Sequence, residues 1–212
     1  MDSFFAAVSV IIIMTLAAAF VVFEKRRATA EKLVLIAILS AISAAGRFIF
    51  TPIPNVQPSS FIIIIAGIAI GAETGFMVGA LTALLSSFLM GFGPWTPFQM
   101  AAWGMMGGAA GLLRLPLSKN KPLRVVFGAA WGFLFGWIMN VWMILSLGLA
   151  ASGFAQVAGV YAASFIFDSM HSAVNALLIF AGGDRFFKTL KRIAEKYGLS
   201  SFDKRKAGEY IN

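Results

Sequence analysis

Four polar residues share one face of the last apolar segment. They are spaced by four, three and four positions, which places them on one stripe of an α-helix: Ser164, Asp168, His171 and Asn175. An Asp at bilayer depth costs about 2.5–3.5 kcal/mol on insertion scales, so Asp168 needs a partner or a water-filled cavity. His171, the single histidine, is three residues away and can hydrogen-bond to it. The stripe is a clasp between helices or a ligand-binding surface. We favour ligand binding because four polar residues exceed what a clasp needs.

Two segments rich in proline and aromatic residues support the same interpretation. Residues 51–58 contain three prolines, which stiffen the backbone, and residues 91–99 combine tight turns with Trp and Gln. They are ordinary turns with interfacial aromatic anchors, or a lid over a pocket with apolar walls and a few polar groups. Under the second interpretation, the predicted solute-contacting residues are Arg47, Asn55, Gln57, Trp95, Thr96, Gln99, Trp103, Asn140, Asp168, His171 and Asn175.

The composition predicts that these residues belong to a membrane protein. The chain is 59% hydrophobic and 12% charged, with a mean hydropathy of +0.86, whereas soluble domains carry about 25% charged residues. The net charge of +8 does not indicate nucleic-acid binding, because the basic residues flank long apolar runs. Cysteine is absent, so disulfides and thiolate metal sites are excluded, and we predict no metal site. No hydrolase, metalloprotease or Walker motif is present, so no catalytic residue is predicted.

Seven apolar segments predict an all-α, polytopic bundle. They cover residues 4–23, 33–50, 59–71, 75–90, 98–113, 123–149 and 160–180. The basic residues are concentrated in alternate connections between these segments. One orientation places nearly all of them on the cytoplasmic side, with the N-terminus outside and the C-terminus in the cytoplasm. We therefore divide the chain into an extra N-terminal transmembrane helix with its cytoplasmic linker (1–30), a core (31–183) and a basic cytoplasmic tail (184–212). Residues 184–196 are expected to form a basic interfacial helix beside anionic lipid headgroups.

Small residues recur at every fourth position on several of these segments. Such stripes let another helix approach closely. For the glycine stripes that begin at Gly71, Gly104 and Gly128 we favour packing inside the bundle. For the alanine stripe, internal packing and docking of a partner membrane subunit both stay open. The alanine stripe consists of Ala37, Ala41 and Ala45.

Three runs of sequence carry a family resemblance. Residues 47–58 (RFIFTPIPNVQP), 71–75 (GAETG) and 91–100 (GFGPWTPFQM) resemble the substrate-binding S components of energy-coupling factor (ECF) vitamin transporters. The similarity covers roughly residues 31–186. It implies a six-helix core that captures a micronutrient at an outward-facing pocket in the plasma membrane of a prokaryote. The N-terminal helix, residues 4–23, departs from that six-helix pattern.

The resemblance also implies partners and ligands. A transmembrane coupling subunit and two cytoplasmic ATPases would associate with the chain and hydrolyse ATP, so the chain itself would not be an enzyme. The stripe of Ala37, Ala41 and Ala45 matches the family's contact with the coupling subunit, and residues 52–58 match its substrate-capping loop. No covalent cofactor is expected, and the ligand would be the transported vitamin. The Pro-Asn-Val and Gly-Pro-Trp-Thr elements look most like the cobalamin branch.

Two other functions remain in view. One is a self-sufficient proton-coupled carrier of small molecules that uses Asp168 and His171 as its relay. Many such carriers contain internal repeats, and no repeat is evident here. The other is a structural or assembly protein, in which the polar stripe is only a clasp.

Overall fold

The computed structural model describes residues 3–199 of the 212-residue chain, and every regular element in that range is helical. The end of the predicted basic tail, residues 200–212, lies outside the described residues. The helices are α1 (Ser3–Lys25), α2 (Ala30–Ile49), α3 (Pro58–Ile70), α4 (Ala72–Met90), α5 (Thr96–Leu112), α6 (Arg114–Lys119), α7 (Lys121–Ser146) and α8 (Phe154–Lys196), with a 3₁₀ turn at Leu149–Ser152. The predicted all-α bundle is confirmed.

Five of these helices, α1, α2, α4, α7 and α8, are long and apolar enough to cross a membrane. Helix α3 has only 13 residues, and 11 of them are buried. It packs against α2, α4, α5 and α8 and forms the centre of the bundle. A helix enclosed by other helices needs no lipid-matched length, so a short α3 is compatible with a membrane protein.

Glycines on α4 and α5 let these two helices pack almost backbone to backbone. A Cβ added at Gly75 would strike the backbone of Gly107, and one added at Gly79 would strike the backbone of Trp103. Glycines on α7 are packed in the same way, because a Cβ at Gly132 would strike the backbone of Ser172 on α8. Internal packing is therefore confirmed for these positions.

The connections lie at two ends of the bundle. We call one the proline end, which holds residues 50–57, 91–95 and 147–153. We call the other the basic end, which holds residues 26–29, the turn at Gly71 and helix α6. The residues that the sequence predicts to contact a solute lie in the loops of the proline end or on the helices that lead from this end into the bundle.

Helix α1 lies on the side of the bundle formed by α5 and α7. The ring of Phe5 stacks on Phe98 at a centroid distance of 6.4 Å. Only Phe5, Leu16 and Phe23 of this helix are buried. Helix α1 meets the start of α2 where Lys32 lies over the Phe23 ring. Further along, α2 packs on α3 and α4, and its outward face is uncovered within the described chain.

Two elements at the basic end differ from the sequence-based expectation. Residues 114–119 form the short helix α6 rather than part of a loop. Helix α8 continues without a break from Phe154 to Lys196, so the boundary that we placed at 183/184 does not coincide with a helix end. Buried Arg124 donates hydrogen bonds to the Asp184 carboxylate and, at 3.3 Å, to the carbonyl of Leu117. These contacts tie α6, α7 and α8 together.

Candidate functional site

The last turn of α2 carries Arg47 into the bundle at the proline end. Its Nη1 donates to Ser86 Oγ at 2.6 Å and to Gln99 Oε1 at 3.3 Å. The guanidinium also lies 4.8 Å from the centre of the Trp103 ring, at cation–π distance. Helices α2, α4 and α5 therefore meet at one cation whose described partners are all neutral.

A second group of contacts joins this cation to α3 and α8. Trp103 Nε1 donates to Ser60 Oγ at 3.2 Å, and Ser60 Oγ is hydrogen-bonded to His171 Nε2 at 2.7 Å. Phe135 stacks on Trp103 at 4.8 Å and meets the edge of His171 at 5.3 Å. The result is a continuous network from Arg47 to His171 that crosses the interior of the bundle.

Asp168 belongs to a separate network between α7 and α8. Its Oδ2 accepts from Ser164 Oγ at 2.9 Å, and Ser164 Oγ accepts from Asn140 Nδ2 at 2.7 Å. The carboxylate is buried and lies against Gly136, where an added Cβ would meet it. No hydrogen bond in residues 3–199 joins Asp168 to His171, although their spacing allows one.

Asn175 lies deeper along α8. Its side chain is fully buried and donates to the carbonyl of Gly128 at 3.1 Å. The hydrogen bonds of the stripe are thus divided: those of Asp168 and Asn175 lead, through one residue or directly, to α7, whereas that of His171 reaches α3. The contacts of Asp168 and Asn175 clasp α7 to α8, and ligand binding by the stripe stays a prediction.

The loops of the proline end contribute the remaining predicted residues. Asn55 adopts a left-handed backbone (φ 54°), which Asn tolerates better than most residues, and its Oδ1 lies 3.5 Å from Gln57 Nε2. Trp95 meets the edge of Trp142 at 5.8 Å. Thr96 Oγ1 accepts from the Gly93 N–H at 3.3 Å and so closes the turn before α5.

Three buried polar atoms, one in the loop after α2, one on α7 and one on α8, have no hydrogen-bond partner among the described residues. They are Gln57 Oε1, Trp142 Nε1 and Asn175 Oδ1. Buried polar groups are nearly always satisfied in a native protein, and each exception needs an explanation such as a water, an ion or local strain. Atoms of the same kind occur at the basic end, where Glu73 Oε1 and Arg124 Nε have no hydrogen-bond partner among the described residues, so these atoms alone do not mark a solute site.

Four contributors to the site escape the sequence-based prediction. Ser60, Ser86, Phe135 and Trp142 are absent from the solute-contacting residues that the sequence predicts. The signal available for the serines is their position as polar residues inside apolar helices, Ser60 beside Pro58 and Ser86 within Leu-Leu-Ser-Ser-Phe-Leu. Phe135 carries no such signal, because one phenylalanine among 21 is unremarkable until its neighbours are known.

The alanine stripe lies on the outward face of α2. Ala37, Ala41 and Ala45 are all exposed, whereas Ser40, Ser43 and Ala44 face the bundle. Exposed Ile38 and Ile42 flank the stripe. Internal packing within the described chain therefore does not account for these three alanines.

A cavity of about 440 Å³ lies at the basic end, which is the opposite end of the bundle from the loops of the predicted solute site. Its lining includes Arg26, Arg27, Lys32 and Glu73. Lys32 Nζ and Glu73 Oε2 form an ion pair at 2.6 Å. This cavity contains none of the residues predicted to contact a solute.

Comparison with known proteins gives one result. The family model described as ECF transporter, substrate-specific component, matches residues 31–182. Neither the curated proteins nor the solved structures contain a match to the chain. The matched region begins at the start of α2 and includes α3 to α7 and most of α8, which leaves out α1. The chain therefore belongs to the substrate-specific components of ECF transporters, a multi-pass membrane family of transporter subunits rather than enzymes.

Proposed function

We propose that this S component captures a vitamin or a related micronutrient at its proline end, and that this end faces the outside of the cell. Cobalamin is the best candidate for the solute. The proposal places Arg47, Gln99, Trp103 and His171 at the floor of the site, with the loops around Asn55 and Trp95 above them.

The observation that carries the proposal is the network from Arg47 to His171. It brings together polar side chains from α2, α3, α5 and α8, lined by the aromatic faces of Trp103 and Phe135. Small-molecule sites likewise combine mostly apolar walls with a few convergent polar groups. Polar and ionisable groups inside a membrane bundle are expensive to keep, which favours a functional role.

The distribution of basic residues supports the proposed orientation. The described connections at the basic end carry Arg26, Arg27, Arg114 and Lys119, whereas residues 51–57, 91–95 and 147–153 carry no Lys or Arg. Cytoplasmic loops are enriched in Lys and Arg. We therefore infer a cytoplasmic basic end, with the N-terminus outside.

The exposed alanine stripe supports a docking role. S components work in general with a transmembrane coupling subunit and ATPases. Ala37, Ala41 and Ala45 offer a flat strip on α2 against which a partner helix can approach closely. Because α1 packs on the side formed by α5 and α7, it does not obstruct this approach.

The proton-coupled carrier is the weaker proposal. Its relay requires proton exchange between Asp168 and His171, but these residues hydrogen-bond to Ser164 and Ser60 respectively. Uptake that continues without the ATPase partners and stops with an uncoupler would support the carrier and contradict the S-component function.

The test is retention of cobalamin by the purified protein. We expect a washed, detergent-purified sample to retain about one corrinoid per chain, read from its visible absorption. No retention would remove cobalamin as the solute, and a panel of other water-soluble vitamins would then test capture itself. Failure to bind any of them would favour a structural or assembly role.

A further inference from the structure

We propose that Arg47 binds an anionic group, a carboxylate or a phosphate, on the captured solute. This inference rests on the proposed function and narrows it to a class of substrate. It concerns the charge that the solute carries at one position, not the identity of the rest of the molecule.

The guanidinium of Arg47 has unused hydrogen-bond donors. Both of its hydrogen bonds within the described chain come from Nη1, to Ser86 Oγ and Gln99 Oε1, and the ring of Trp103 lies against the cation. A guanidinium has five N–H donors in a planar fork that suits bidentate contact with a carboxylate or phosphate. Nε and Nη2 make no hydrogen bond within residues 3–199, and neither is a buried orphan. They are therefore available to a ligand.

The charge of Arg47 is not balanced by a nearby carboxylate among the described residues. No carboxylate oxygen in residues 3–199 lies within 4.0 Å of Arg47. Its position in the last turn of α2 supplies only the partial negative charge of a helix C-terminus, about half an elementary charge. A cation within a membrane bundle is normally paired, so a full negative charge is missing at this position.

The side chain of Arg47 points into the bundle. Neighbouring Phe48 and Ile49 are exposed on the outside of α2, whereas the Arg47 guanidinium contacts Gln99 and the fully buried Trp103. An arginine that served a lipid phosphate would extend outward along the apolar surface. The inward direction favours an anionic group on a solute over a lipid headgroup.

The experiment compares matched pairs of solutes that differ in one anionic group. The pairs are nicotinate and nicotinamide, pantothenate and panthenol, and biotin and its amide. Cobalamin is tested beside cobinamide, which lacks the whole nucleotide loop that contains the phosphodiester. Riboflavin and cationic thiamine complete the panel. Binding is measured by the change in unfolding temperature and by equilibrium dialysis, in delipidated detergent and with added phosphatidylglycerol.

Three variants accompany the native protein. Arg47→Gln removes the positive charge, and Arg47→Lys keeps the charge but removes the planar pair of N–H donors of the guanidinium. Arg185→Gln makes the same change at an exposed position of α8 near the basic end, outside the site. The unfolding temperature of each ligand-free variant reports whether it is folded.

We expect the anionic member of one pair to bind and its neutral partner to bind about 30-fold more weakly. Arg47→Gln should lose that preference, Arg47→Lys should keep part of it, and Arg185→Gln should keep all of it. A neutral or cationic solute that binds equally to the native protein and to Arg47→Gln overturns this inference alone. Stabilisation by phosphatidylglycerol that depends on Arg47, without solute discrimination, assigns the residue to lipid and also overturns it. If no member of the panel binds, the proposed function fails, and this inference fails with it.

Discussion

The cations at the two ends of the bundle have different partners. At the basic end, Arg124 and Lys121 both pair with Asp184, and Lys32 and Arg26 both approach Glu73. At the proline end, the contacts of Arg47 in the described chain are neutral.

This difference separates structural charges from functional ones. At the basic end, cations paired with a carboxylate hold α6, α7 and α8 in place. A partly buried cation whose described partners are all neutral suits a surface that a ligand completes. Substitutions at the basic end should therefore change stability, and those at the proline end should change binding.

The largest expected effect is on stability at the basic end. Asp184→Ala should lower the free energy of unfolding by about 3 kcal/mol, because it leaves buried Arg124 without its carboxylate. The control is Glu195→Ala, which removes an exposed partner of Lys191 and should cost under about 1 kcal/mol. Reversible unfolding in detergent measures both. Equal, small losses would show that the Arg124 pair is not structural.

The next effect is on solute binding at the proline end. Asp168→Ala should weaken binding about 30-fold, since it removes the charged acceptor of the network with Ser164 and Asn140. Asp184→Ala, measured where it is fully folded, should bind normally. Isothermal titration with the solute found by the panel provides the measurement. Normal affinity in the Asp168 variant would remove this residue from the site.

A third effect separates assembly from binding. Ala41→Leu should weaken association with the coupling subunit and ATPases about tenfold by filling the strip where a partner helix approaches. Ala163→Leu, at an exposed position of α8, is the matched control. Co-purification reports assembly and dialysis reports solute binding. Normal assembly in the Ala41 variant would exclude this strip as the docking surface.

The smallest effect concerns Gln57. Its Oε1 is buried without a partner, so Gln57→Leu should leave the ligand-free protein within about 0.5 kcal/mol of native stability. Solute binding should nevertheless weaken severalfold, because the amide no longer contacts the ligand. A clear loss of stability, with binding unchanged, would instead assign Gln57 to the fold of the loop.

Much of the fold was predictable, because apolar length and basic flanks are strong signals along a single chain. All seven predicted segments correspond to helices. Helix α6 escaped prediction because six residues that include Pro116 are too short to show a period. The continuity of α8 was not predicted, because Gly182, Gly183 and Asp184 are residues typical of the end of a membrane span. In the structure, contact with Arg124 holds this region against α7.

The site was only partly predictable, because spacing along one helix does not decide which neighbour each residue meets. The stripe on α8 was visible in the sequence, but its division between α3 and α7 depends on how the helices pack. Ser60 connects Trp103 to His171 across 43 and 111 positions of sequence, and no local pattern predicts such contacts.

The most direct test of the account is to identify what the protein retains. Native protein and Arg185→Gln would be incubated with an equimolar mixture of water-soluble vitamins, washed, and denatured, and the released compounds quantified by mass spectrometry. The account predicts one compound, near one molecule per chain, in both samples. Folded protein that releases none of the mixture would contradict the claim that the proline end is a solute-capture site.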